Sequence, residues 1–258
     1  MGQVSYAKEI YESIPKIRSY AIVQAYHYIS IPSRFLLETK QWEECLKIRN
    51  YIKLDNLNFE FQNIIISYVE SIGAFFLRNK KLLEESVKRL KEAHNVYIQS
   101  ARYKVDNFPI RQKFEIMYLT GNPLLVFLSG DRKSGIEMMK KVSNKEAEYE
   151  RSAINPAPIF PAQEIVGLLL LQDNQIELGI KQLEESLKIE NQNRFNTFYY
   201  IGKAYLSIGN KNQAIFYFKK LVHLCDEKLK FCDYEKPCRN YKCNERKEII
   251  EARNIINS

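Results

Sequence analysis

Apolar residues recur at helical spacing along nearly the whole chain, and no segment alternates apolar and polar positions with a period of two. The pattern predicts helices joined by turns and excludes a sheet protein. Ile10, Ile14 and Ile17 predict a short first helix, ended or kinked around Pro15. Tyr20 to Glu38 reads as a long helical stretch in which Pro32 either kinks the helix or begins its second part. Trp42 to Arg49 is the partner helix after the turn Thr39-Lys40-Gln41. Asn58 to Arg78 pairs with Lys81 to Arg102, and Phe108 to Leu128, disturbed at Gly121-Asn122-Pro123, precedes Ser134 to Arg151. The stretch Ser152 to Pro161 holds Pro156, Pro158 and Pro161 and reads as a linker, since proline removes backbone donors and favours extended chain. Two regular hairpins follow: Phe160 to Asp173 with Gln175 to Glu190, and Phe195 to Ile208 with Lys211 to Lys228. A Cys-rich loop over 229–244 and a capping helix over 245–257 complete the pattern.

The last two hairpins are copies of one another. Gly167-Leu168-Leu169-Leu170 stands 35 positions before Gly202-Lys203-Ala204-Tyr205, and the same offset pairs Val166 with Ile201, Gly179 with Ala214 and Leu183 with Phe218. In the second copy an aromatic, a small residue and further aromatics fall at set spacings: Phe198, Ile201-Gly202, Tyr205, Ala214, Phe218 and Leu221. Small Gly202 and Ala214 let two helices approach, and Tyr205 and Phe218 fill the space between hairpins. The first copy is weaker, with Gln163, Val166-Gly167, Leu170, Gly179, Leu183 and Ser186. A period near 34 residues with these positions resembles the tetratricopeptide repeat, a stacked helical hairpin. The resemblance implies an all-α fold, an α-solenoid of antiparallel hairpins that forms one unit over residues 1–258, with residues 160–228 as its two clearest repeats. Earlier hairpins share the turn style and little else.

A second likeness covers most of residues 20–222. Ile29-Ser30-Ile31-Pro32-Ser33-Arg34-Phe35-Leu36-Leu37-Glu38 followed by Trp42, then Pro158 to Gly167, then Asn193-Arg194-Phe195 resemble elements found in the same order in a large group of bacterial tetratricopeptide proteins. Those relatives are usually longer on the N-terminal side and often carry an export signal, and this chain resembles their C-terminal half. The likeness therefore implies an accessory or ligand-binding part of a longer, exported protein as the alternative to a free-standing cytoplasmic scaffold.

Charge and composition narrow the function classes. The 39 Lys+Arg against 31 Asp+Glu leave a net charge of +8 diluted along the chain. The pairs Lys80-Lys81, Lys140-Lys141 and Lys219-Lys220 read as solvated helix faces, and no nucleic-acid-binding module accompanies them. No apolar run reaches the roughly 18 residues of a membrane-spanning helix, and Met1 to Lys8 lacks a signal pattern. His27, His94 and His223 are far apart and outside any metal-ligand motif, and the adjacent carboxylates Glu43-Glu44, Glu84-Glu85 and Glu184-Glu185 diverge on a helix. Phosphate loops, nucleophile elbows and dinucleotide fingerprints are missing too. These observations predict a noncatalytic chain without a cofactor.

Two sets of residues remain as candidate sites. Cys225, Cys232, Cys238 and Cys243 fall within 19 residues with gaps of six, five and four, wider than the paired spacing of a structural zinc site. Zinc, disulfides in an exported chain and free thiols in a reducing compartment all stay open, which would make this loop a metal- or redox-responsive module. Cys45, beside Trp42 and Leu46, reads as a buried small hydrophobe. The tetratricopeptide resemblance places Glu164, Leu168, Asn196, Tyr199 and Lys203 toward the concave side, where they predict a surface for a protein or peptide partner. Glu164 would repel a terminal carboxylate, which argues against the clamp of chaperone-docking members of that class.

Overall fold

The structure, a computed structural model, describes residues 22–52, 60–106, 108–149, 158–189, 194–230 and 246–258. Among them all regular structure is helical: α1 (Ile22–Glu38), α2 (Trp42–Tyr51), α3 (Phe61–Phe76), α4 (Lys80–Gln99), α5 (Ala101–Val105), α6 (Phe108–Leu128), α7 (Arg132–Glu148), α8 (Ala162–Gln172), α9 (Ile176–Ile189), α10 (Phe195–Ser207), α11 (Lys211–Lys230) and α12 (Lys247–Asn257). The all-α class and the succession of packed helices follow the sequence pattern. No described helix is long and apolar enough to cross a membrane.

One turn geometry recurs through the chain. Lys40 (φ 56°), Arg78 (φ 54°), Gly130 (φ 111°), Asn174 (φ 61°) and Gly209 (φ 75°) each sit in the left-handed region just after the first helix of a hairpin. That conformation lets the next amide fold back onto the helix end. Gln41, Asn79, Gln175 and Asn210 donate their backbone N–H to the carbonyls of Leu36, Ala74, Leu170 and Tyr205, at 2.9–3.0 Å. The following helix is capped at once: the Asn79, Asp131 and Asn210 side chains accept from the N–H of Leu82, Ser134 and Gln213 at 3.1–3.2 Å.

Contacts divide the described residues into two compact units, one ending at Val166 and one beginning at Gly167. In the first, α3 is the central element. It packs against α1, α2, α4 and α6, and every residue from Phe61 to Phe75 except Asn63 is buried. Such all-round burial explains its near-continuous apolar run, Phe61 to Phe76. Gly73 brings α2 and α3 together: a Cβ there would lie 2.6 Å from Cys45 Cβ and 2.8 Å from the Trp42 carbonyl oxygen. The one carboxylate on this helix, Glu70, is 3% exposed. It accepts from Arg49 on α2 at 3.2 and 3.3 Å and from Arg89 on α4 at 3.2 and 3.0 Å, tying three helices together.

The described end of the expected linker, Pro158 to Pro161, docks onto this unit. Tyr68 on α3 donates its hydroxyl to the Phe160 carbonyl at 3.0 Å, and the Ala162 N–H donates to Glu146 at 2.8 Å. Three sequence expectations shift. Ser100 ends α4, because its extended backbone (ψ 157°) and its side chain, which accepts from the Tyr103 N–H, start the short helix α5. Helix α6 runs unbroken through Gly121-Asn122-Pro123, and α7 starts at Arg132 because Asp131 caps it. Pro32 likewise lies inside a continuous α1. The predicted first helix around Ile10 to Ile17 lies outside the described residues.

In the second unit the sequence offset becomes a repeated contact. A Cβ on Gly167 would lie 2.6 Å from Leu183 Cγ, and one on Gly202 would lie 2.8 Å from Phe218 Cε1. Gly179 and Ala214, the other small pair, stand at the facing positions of α9 and α11; Ala214 is wholly buried. Helix α12 packs against α11, with Ile249 and Ala252 wholly buried.

Candidate functional site

Of the residues expected to face a partner, Glu164 is wholly buried, Leu168 and Asn196 are 4% and 2% exposed, Tyr199 is half-buried and Lys203 is exposed. In the second unit the covering element is the chain's own last helix. Tyr199 donates its hydroxyl to Glu251 at 2.6 Å, and Lys203 reaches the other oxygen of that carboxylate. Arg246 donates to Asn196 at 3.2 Å and lies 3.8 Å over the Phe195 ring. Burial pushes the Glu251 carboxyl up, but the bonds from Lys203 and Tyr199 outweigh it and hold the group below its ordinary range. Burial and the bond to Glu251 raise the Tyr199 phenol. Lys203 keeps an exposed flank.

The cysteine cluster contributes no geometry. Cys225 falls on α11 with its side chain outside what is described, and Cys232, Cys238 and Cys243 lie outside the described residues. Cys45 is a free, wholly buried thiol, pushed up to about 12 by burial, so it packs as a small apolar residue. Among the described residues no group of three or more His, Cys, Asp or Glu side chains could hold a metal ion.

An open groove of about 630 Å³ lies instead in the first unit. Val87 and Lys91 of α4 form one wall, Met138, Lys141, Val142 and Lys145 of α7 the other, and Tyr118, Leu119, Asn122 and Pro123 of α6 lie between them. Periodicity explains the convergence: Lys91 is one turn beyond Val87, Asn122 one turn beyond Tyr118, and Lys141 and Lys145 one turn apart. Gly121 sets how closely α6 meets α4, since a Cβ there would stand 3.1 Å from Val87 Cγ2 and 3.2 Å from Leu90 Cδ2. Pro123 has no N–H, so the Leu119 carbonyl one turn earlier lacks its usual helical donor.

One end of the groove is fixed by a polar network. His94 stacks on Tyr118 with ring centroids 4.2 Å apart. Lys145 bonds one oxygen of Glu115 at 2.5 Å, and the Tyr149 hydroxyl donates to the other at 2.9 Å. Burial pushes Glu115 up, yet these bonds and the Lys145 and His94 charges hold it below the ordinary carboxylate range. Burial lowers His94, with the Glu115 charge acting against the shift. Lys91 and Lys141 are exposed. The arrangement combines apolar side chains, lysines on both walls and a hydrogen-bonded end. Sequence reasoning passed over these residues: Lys140-Lys141 reads as a solvated pair and Gly121-Asn122-Pro123 as a disturbed helix, although both mark the groove. Comparison of the chain with family models, curated proteins and solved structures finds no match.

Proposed function

We propose that this chain is a noncatalytic helical-repeat scaffold, tetratricopeptide-like in its last hairpins, that holds a protein or peptide partner. The observation that carries the reading is the open groove between α4, α6 and α7, formed by packed hairpins and lined by apolar and lysine side chains.

Site-specific photo-crosslinking in the native cells tests it. A benzophenone side chain at exposed Asn122 should capture a discrete polypeptide, whereas one at Leu178, 54% exposed in the other unit, should not. Equal capture at both positions, or turnover of a metabolite by the purified chain, would overturn the reading.

A further inference from the structure

We infer that the groove between α4, α6 and α7 receives an acidic peptide segment that carries one bulky apolar side chain, an inference that rests on the scaffold reading above. Lys91 and Lys141 stand on opposite walls, so an anionic segment entering the groove meets a cation on either side. Lys145 pairs with the one carboxylate at the groove's end, Glu115, and the side chains of the walls and floor include no other. Between the lysines, Leu119 of the floor and Val87 and Met138 of the walls are available to bury an apolar side chain. The Leu119 carbonyl receives no N–H from Pro123 one turn later. Asn122 beside it, exposed on the same helix, supplies a donor and an acceptor. The Asn122 amide can pair with both the N–H and the C=O of a polypeptide, whereas a phosphate backbone brings only acceptors. The one aromatic ring in the groove, Tyr118, is already stacked on His94 and offers no free platform for bases.

The test is selection of random displayed peptides on the whole chain, followed by affinity measurement on wild type, the Lys91→Glu/Lys141→Glu variant and Asn122→Trp. All three sites are exposed, so circular dichroism should show native helix content in each variant. Enriched peptides should carry Asp or Glu flanking one Leu, Phe, Tyr or Trp. The double charge reversal should weaken them by roughly tenfold or more, added salt should weaken them further, and Asn122→Trp should block them. Neutral or basic peptides that Asn122→Trp still blocks would overturn the inference while leaving the scaffold reading in place. Peptides indifferent to Asn122→Trp, or no enrichment at all, would overturn both. A single-stranded oligonucleotide that displaces the peptides more readily than they displace each other would overturn the inference in favour of nucleic acid.

Discussion

Removing the guanidinium partners of Glu70 should expose how much of the first unit depends on one buried charge. The carboxylate side chain is 4% exposed, whereas those of Arg49 and Arg89 are 36% and 41% exposed. Water can therefore rehydrate either arginine if the bond is lost, but it cannot reach Glu70. Arg49→Ala or Arg89→Ala leaves one cation on the carboxylate, and each should cost about 1 kcal/mol, the scale of a single hydrogen bond to a charged group discounted for exposure. The double variant leaves the charge buried and unpaired and should cost about 3–5 kcal/mol, more than the sum. Glu70→Gln keeps the volume and loses the charge, and should fall between, at about 2 kcal/mol. Urea denaturation of the four variants, read as a double-mutant cycle, measures these differences. Additivity of the two arginine substitutions within about 0.5 kcal/mol would refute the reasoning, since it would mean that neither arginine compensates for loss of the other at Glu70.

Other outcomes follow from the same structure. Gly73→Ala gains roughly 1 kcal/mol of helix propensity but forces a methyl against Cys45 and the Trp42 backbone, so a net loss of about 1–2 kcal/mol is expected in chemical denaturation. Arg78→Gly should raise stability by about 0.5 kcal/mol, because a left-handed arginine is strained and glycine is not, with the glycine's greater unfolded freedom offsetting part of the gain. His94 is depressed in the folded state, so stability should decline as pH drops below its unfolded value toward its folded one; Glu115 is also depressed, so its contribution is present above its unfolded value and is lost as pH falls through the folded one. Thermal melts across that range should show two declines, and His94→Gln should remove the one nearer neutrality. Glu251→Lys should reduce hydrogen-exchange protection across α12 and leave α6 unchanged; equal protection in both variants would mean that α12 is held by Ile249 and Ala252 with little help from Tyr199 and Lys203.

The fold was legible wherever periodicity and small residues speak for packing. The offset that pairs Gly167 with Gly202 and Leu183 with Phe218 predicts a contact that recurs in space. The turn Thr39-Lys40-Gln41 was legible between two helical patterns. Its left-handed backbone was not, since Lys40, like Arg78, is a residue that seldom adopts that conformation. Proline misled at position 123, because one missing N–H near the end of a long, well-packed helix does not outweigh that packing. The site was the least legible part. A helix face predicted from repeat register takes no account of a later segment, and α12, far along the chain, covers Asn196 and Tyr199. The groove draws side chains from three helices whose spacing in sequence gives no hint that Val87, Asn122 and Lys141 meet.

The recurring left-handed turn also shapes how the chain reaches its native state. Each hairpin is closed by bonds spanning only a few residues, so little loop-closure entropy opposes its formation and the earliest structure is local. What comes slowly is the long-range joinery: the Tyr68 hydroxyl must find a carbonyl 92 residues onward before Phe160 is seated. On a ribosome the hairpins of the first unit can form one after another as they emerge, and α3, buried on almost every side, stays incompletely covered until α6 arrives. That interval, more than any feature of the finished protein, is when its apolar surface is exposed to chaperones and to its own neighbours.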